Sequence, residues 1–295
     1  MWGSTYFAIR VGIESFPPYL LAGFRHLVVG LFFYPIFRIV SQEKPTRAQW
    51  RTTFITGVLL LAVGNGTVAW AEKTVPSGIA ALLVATVSLW MVLVDWIRPG
   101  GVRPAPRVIA GFLLGFAGMA LLVGPQHLGN SERIEPIGAC ALIGASLAWA
   151  AGSIYSRHHP LPRSPLLAVG MQTLSAGLVL CLFAVAIGET KQFHFADVTL
   201  RSWLALLYLF IFGSGLGFSA YVYILKHSTA ARVATYAFVN PVVALFLGWF
   251  LASETLSLRT FLASGIILAA VILVITVPHK TTTEAEEAVP APGEA

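Results

Sequence analysis

The chain has 295 residues, of which 57% are hydrophobic and 11% charged, and its mean hydropathy is +0.78. A water-soluble domain carries about 25% charged residues, so these values exclude a single soluble globule. The net charge of +6 does not form a nucleic-acid patch, because the basic residues are scattered through the breaks between apolar runs.

The chain opens on "MWGSTYFAIR", which lacks the basic n-region and cleavage site of a secretory leader. Beyond this opening stretch 1–13, apolar runs lie at 17–37, 54–71, 76–97, 107–124, 136–156, 166–187, 203–225, 232–252 and 259–277. About 17–25 apolar residues cross a hydrocarbon core roughly 30 Å thick. The runs are long and continuously apolar, whereas a barrel strand has about 10 residues of alternating character. The expected class is therefore an all-α polytopic membrane protein with ten transmembrane helices. Cys140 and Cys181 both fall inside apolar runs, which leaves no disulfide framework or metal site to build from them. The tail 280–295, acidic and rich in Pro and Ala, is expected to be disordered.

Charge in the breaks predicts orientation. With ten spans, twelve of the 19 Lys and Arg residues, including Arg38, Arg51, Arg98, Arg157 and Lys226, fall on one side. Six, including Arg10, Lys73, Arg133 and Arg201, fall on the other, and Arg25 lies within a span. The positive-inside rule puts the first side, and the C-terminus, in the cytoplasm.

Landmarks of the first half recur in the second. At an offset of 147, Trp2 matches Trp149, Arg10 matches Arg157, Gly23 matches Gly170, Arg25 matches Gln172 and Gly30 matches Gly177. At an offset of 153, Trp50 matches Trp203, Gly64 matches Gly217, Trp70 matches Tyr223 and Ser88 matches Pro241. Two five-span units face opposite ways across a membrane because five is odd, so the expected architecture is a pair of inverted repeats, an arrangement used by transporters. Their boundaries are 1–124 and 136–277, with a linker at 125–135 and the tail at 278–295. Apolar residues precede Trp149 for about a dozen positions, while only Met1 precedes Trp2. The first helix is therefore expected to be truncated at its N-terminus.

Four stretches carry a resemblance: "WGSTYFAIRVG", "AGFRHLVVGL", "AVGNGTVAWAEKTVPSGIAALLVATVSLW" and "TAARVATYAFVNPVVALFLGWFLASETLS". In this order the chain resembles the EamA-type transporters of the drug/metabolite transporter superfamily, most of all the YedA-like members, over about residues 1–277. The resemblance implies a ten-helix inner-membrane carrier that moves small metabolites, often outward, without a cofactor. Ser88 stands where the family pattern has a proline, which predicts a weaker break in the fourth helix than at Pro241.

Polar side chains within spans are the candidate substrate contacts, since an ionisable group there is costly and marks a pathway or a partner. Arg25 reads either as a cavity cation that holds a carboxylate or phosphate, or as a structural clamp on helix carbonyls or Glu72. Asn65 and Glu72, seven residues apart, share a helix face; Asn65 is placed deep, and Glu72 near the outer end beside Lys73. Tyr236 and Asn240 precede Pro241, which leaves a backbone carbonyl free one turn earlier. Trp2, Trp70, Trp149, Tyr221 and Tyr223 form either an aromatic cage or interfacial packing, and Ser4, Tyr6 and Gln172 complete the expected cavity lining. His26 is expected to be packed, and "GSGLG" at 213–217 to be helix packing rather than a phosphate loop. "GFLLG" at 111–115 reads as a packing or dimerisation face, leaving a homodimer open.

The expected partners are thus a small-molecule substrate and the lipid bilayer, with no nucleic acid. No Walker sequence points to ATP. An intramembrane enzyme would need paired acids or a Ser/His pair within the spans, and no base is expected beside Ser146, Ser153 or Ser214. A non-transporting, truncated scaffold is the remaining alternative.

Overall fold

The computed structural model describes residues 1–101, 103–123, 135–191, 193–227, 233, 236–252 and 257–276, and the regular elements among them are all helical. In chain order these are α1 (Trp2–Gly12), α2 (Pro18–Ser41), α3 (Arg47–Ala71), α4 (Ser77–Val84), α5 (Val87–Ile97) and α6 (Pro106–Val123). They are followed by α7 (Pro136–His158), α8 (Pro165–Ala186), α9 (Leu200–His227), α10 (Tyr236–Ala252) and α11 (Leu258–Ile275). Among the described residues six segments are long and apolar enough to cross a membrane: α2, α3, α4 with α5, α7, α8 and α9. The tail 278–295 and the linker, apart from Glu135, lie outside the described residues.

Helix ends follow local chemistry. Pro18, Pro136 and Pro165 occupy first-turn positions, where a missing N–H removes nothing the helix could use. The apolar runs at 54–71 and 203–225 prove to be the inner parts of longer helices. The side chain of Thr46 accepts from Gln49 N and that of Gln49 accepts from Thr46 N, which starts α3 at Arg47. Likewise Thr199 accepts from Ser202 N and starts α9 at Leu200.

Alpha-helical bonding gives way to π-helical bonding in the middle of α3, at Gly57–Asn65, and of α9, at Leu209–Gly217. Each π segment is nine residues long and glycine-containing. Such segments are rare and cluster at functional sites.

Residue contacts pair reciprocally across the molecule. On α2 a Cβ at Gly30 would strike the backbone of Leu174 on α8, and on α8 a Cβ at Gly177 would strike the backbone of Leu27 on α2. Both positions shift by 147, so the two contacts exchange. Gly23 against Cys181 and Gly170 against Tyr34 exchange in the same way. Gly64 on α3 meets Trp149, while Gly217 on α9 meets Trp2. The α2/α8 pair is also capped crosswise: Glu43 accepts from the backbone of Arg163 and Ser164 at the start of α8. Glu189 accepts from Tyr19 and Leu20 at the start of α2. A carboxylate at a helix N-terminus meets unpaired N–H groups and the positive end of the dipole.

The fourth span corrects an expectation. With Ser88 in place of a proline its break was expected to be the weaker one, yet the helix is interrupted between Val84 and Val87, whereas α10 runs through Pro241. The interruption uses side-chain hydroxyls, because Thr86 Oγ1 donates to Leu83 O and Ser88 Oγ to Ala85 O. These bonds satisfy backbone carbonyls that a continuous helix would have paired.

The exterior of the bundle is apolar. Phe32, Ile39, Leu113, Phe246, Phe250 and Phe261 are each more than half exposed. Exposure of this extent is stable against lipid and unstable against water. Gly115 of "GFLLG" packs against Leu89 and Ala270 of the same chain, which fixes α6 against α5 and α11.

Candidate functional site

Interior polar residues converge where α1, α2, α3, α4, α7, α9 and α10 meet around a central cavity. About 50 Å³ is open there to the centre of a water molecule, and one such centre occupies about 10–15 Å³. The cavity therefore holds a few waters in this conformation. Of the residues expected to form the site, Trp2, Tyr6, Arg25, Asn65, Trp149, Tyr236 and Asn240 line it. Thr5, Ser146, Ala145 and Gly213 also line it and were not expected there from the sequence. Gly213 could have been found: it opens the "GSGLG" run, and a cluster of small residues in a span marks close approach of another group.

Local structure explains these placements. Asn65 is the last residue of the π segment of α3, and Gly213 lies within that of α9, so both helices are locally rewound where they border the cavity. The indole Nε1 of Trp2 donates to Gly213 O at 3.1 Å, which joins α1 to the rewound turn. On α7, Ser146 Oγ donates to Leu142 O at 2.9 Å. Gly3 lies against Asn240 O and Val243, holding α1 close to α10.

An aromatic cluster forms one wall. Ring centroids of Trp2 lie 5.5 Å from Trp149, 5.2 Å from Tyr221 and 5.1 Å from Tyr236. Trp149 Nε1 donates to Tyr221 Oη at 3.0 Å, and Tyr221 Oη is 2.6 Å from Ser153 Oγ. Beyond this wall lies a vestibule of about 270 Å³ bordered by Gln172, Tyr221, Arg157, His159 and Lys226. The cluster thus separates the central cavity from a basic vestibule.

Other expected residues fall elsewhere. Ser4 is 2.6 Å from Tyr208 Oη and donates to Met1 O, tying α1 to α9 outside the cavity lining. Trp70 packs half-buried against the core, and Tyr223 is 55% exposed and stacked on His227, so neither belongs to the aromatic cluster. Gln172 and Tyr221 border the vestibule, with Gln172 Nε2 donating to Thr56 Oγ1 at 2.8 Å.

Glu72 departs most from expectation. Placed by the sequence near an interface beside Lys73, it is fully buried. Arg10 Nη1 donates to its backbone carbonyl, so α1 lies against this end of α3.

Ser214 also has a neighbouring histidine, contrary to expectation, since His26 Nδ1 is 3.2 Å from its Oγ. Both are buried and neither lines the cavity. No carboxylate hydrogen-bonds His26, whose Nε2 has no partner among the described residues. The pair lacks the oriented base and the open approach that nucleophilic catalysis needs, and it serves as a packing hydrogen bond.

Long apolar helices with a lipid-compatible exterior, packed around a cavity lined by aromatic and polar side chains, define a multi-pass helical membrane protein. The family profile described as the EamA-like transporter family matches residues 1–124 and 136–276, and the chain belongs to that family. It is a membrane transporter. The chain is 38% identical to the "Uncharacterized inner membrane transporter YedA" of Escherichia coli (strain K12) over 275 residues, covering 93% of this chain and 87% of the relative. It is 23% identical over 282 residues to a "Probable amino-acid metabolite efflux pump" of the same organism, covering 91% and 89%. A solved crystal structure shares the fold with a TM-score of 0.64 at 20% identity, over 92% of each chain.

Proposed function

We propose that this protein is a secondary transporter of the inner membrane that exports small metabolites, amino acids or drugs by alternating access through the central cavity. The observation that carries this reading is the cavity itself. Its polar lining comes from both halves of the chain, with Arg25 and Asn65 from the first and Ser146, Gly213 and Asn240 from the second. The contacts that exchange at an offset of 147 support reading the halves as inverted five-helix repeats of a ten-helix bundle. Trp2 and Trp149 are equivalent positions at that offset and pack against each other, as residues flanking a pseudo-two-fold axis would.

In this reading the observed state is closed around the cavity. Rocking of the halves opens it first to the vestibule that carries Arg157 and Lys226, and then to the opposite side. The excess of basic residues beside that vestibule makes it the cytoplasmic end, with the C-terminus on the same side. Export fits the name of the efflux-pump relative.

The test is flux in liposomes holding the purified protein and no ATP. Panels of amino acids, purine metabolites and cationic drugs are applied with and without a proton gradient. Saturable, protein-dependent flux of at least one solute is expected; no saturable flux across the panel refutes the reading.

A further inference from the structure

Arg25 is 3% exposed, lines the cavity, and has no hydrogen bond or ion pair among the described residues. Its Nε is fully buried without an acceptor. A buried guanidinium in this condition is strongly disfavoured unless something supplies acceptors to it. The structural role open to Arg25, a clamp on helix carbonyls, is not filled. Gly213 O, on the rewound turn beside it, accepts from the indole of Trp2 and not from Arg25.

We propose that Arg25 is the anion-binding group of the cavity, and that the transported solutes are small monocarboxylates with an apolar or aromatic body. The proposal rests on the transporter reading above. A carboxylate matches the planar donor pair of a guanidinium and brings the acceptors that the buried Nε lacks. The rings of Trp2, Trp149 and Tyr236 supply a wall for the rest of the solute.

Charge selects a monocarboxylate over a phosphate. Among the described residues the cavity lining carries one cation, Arg25, and no further positive charge to balance a second negative one. A dianion would leave excess negative charge in a medium of low dielectric, where like charges repel strongly.

The repeat sharpens the placement. The position equivalent to Arg25 is Gln172, a neutral residue that borders the vestibule with its Oε1 lacking a partner among the described residues. Only one of the two equivalent positions is cationic, so the anion site belongs to one end of the pathway. Arg25 stands seven residues into α2, about 10 Å along the helix from its first residue at 1.5 Å per residue.

The test uses the purified full-length protein and two probes of one shape, hydrocinnamate and its neutral amide, hydrocinnamamide. Binding is read by intrinsic tryptophan fluorescence and by thermal stabilisation near neutral pH. In the wild type the carboxylate is expected to bind at least about tenfold tighter than the amide, as a charge-assisted contact replaces a neutral one. Arg25→Gln is expected to lower carboxylate binding to the amide level with amide binding unchanged, and Arg25→Lys to restore part of the preference. Equal binding of the two probes by the wild type, binding of neither, or a preference retained in Arg25→Gln overturns the proposal. So does tighter binding of phenylphosphonate than of the carboxylate. The wild-type comparison stands even if the variant does not fold. Liposome flux separates the two levels of the reading: saturable flux without carboxylate preference overturns the anion assignment alone, while absence of saturable flux for any solute overturns the transporter reading.

Discussion

Gly30→Ala is the most informative single change in the scaffold. The added methyl would strike the backbone N and Cα of Leu174, which cannot rotate away, so α2 and α8 must separate. Overpacking of this kind destabilises by about 1–3 kcal/mol, and the better helix propensity of Ala returns up to about 1 kcal/mol. A net loss of about 1–2 kcal/mol, at roughly 2–4 °C per kcal/mol for a chain of this order of size, lowers the unfolding midpoint by about 2–8 °C. Gly177→Ala strikes Leu27 in the exchanged geometry and is expected to lose a similar amount. The double variant should lose less than the sum, because one separation of the helices relieves both clashes. Gly144→Ala is the internal control: nothing lies within 4 Å of its added methyl, so its midpoint should hold or rise. Thermal unfolding of the four variants and the wild type in the same detergent reads the outcome. Unchanged midpoints for Gly30→Ala and Gly177→Ala, or an equal fall for Gly144→Ala, would refute the reciprocal close packing.

Further expectations concern the caps and the aromatic wall. Tyr221→Phe removes the acceptor for Trp149 Nε1 and the partner of Ser153, and should cost about 1–3 kcal/mol for the buried donor left behind, seen as a lower unfolding midpoint. Glu43→Ala removes the cap on α8 and should cost about 0.5–2 kcal/mol in the same assay. Glu189 behaves differently, because burial raises its titration above the ordinary 4.5, outweighing the bonds from Leu20 and Tyr19 and the charge of Lys73. A carboxyl group raised on folding adds stability below its unfolded pKa and loses it as pH rises through the folded value. Glu189→Gln keeps an acceptor without the charge, so at neutral pH its midpoint should equal or exceed that of the wild type. Acidification should then raise the wild type relative to the variant; the opposite trend would contradict the assigned cause.

Much of the helix layout was legible because each span is a long apolar run, and a polar break is a strong local signal. The ends at Arg47 and Leu200 were missed for a local reason: the Thr46/Gln49 box and the Thr199 cap extend helices beyond their apolar cores. The break before Val87 was expected to be weak without a proline, but Thr86 and Ser88 satisfy the freed carbonyls through hydroxyls that helical periodicity does not report. Arg25, Asn65, Tyr236 and Asn240 could be placed on the cavity because polar groups inside spans avoid lipid. The burial of Glu72 could not be read, since its own segment, beside Lys73, does not show that Arg10 of α1 packs against its backbone. The contact between His26 and Ser214 spans 188 residues; a pairing at that separation is set by how α2 crosses α9, and neither segment encodes it alone.

The central claim, that the cavity opens to both sides in turn, can be measured with any solute that the liposome panel shows to be transported. Ala145 lines the cavity and is 3% exposed, and none of the polar contacts described above depends on its side chain. A single cysteine, Ala145→Cys, is placed in a background with Cys140→Ser and Cys181→Ser and reconstituted in sealed vesicles. A membrane-impermeant maleimide is then applied from one side or the other. Alternating access predicts that the cysteine is modified from each side, at rates that shift in opposite directions when a transported solute is added. Modification from one side only, or from neither under any condition, would contradict the account.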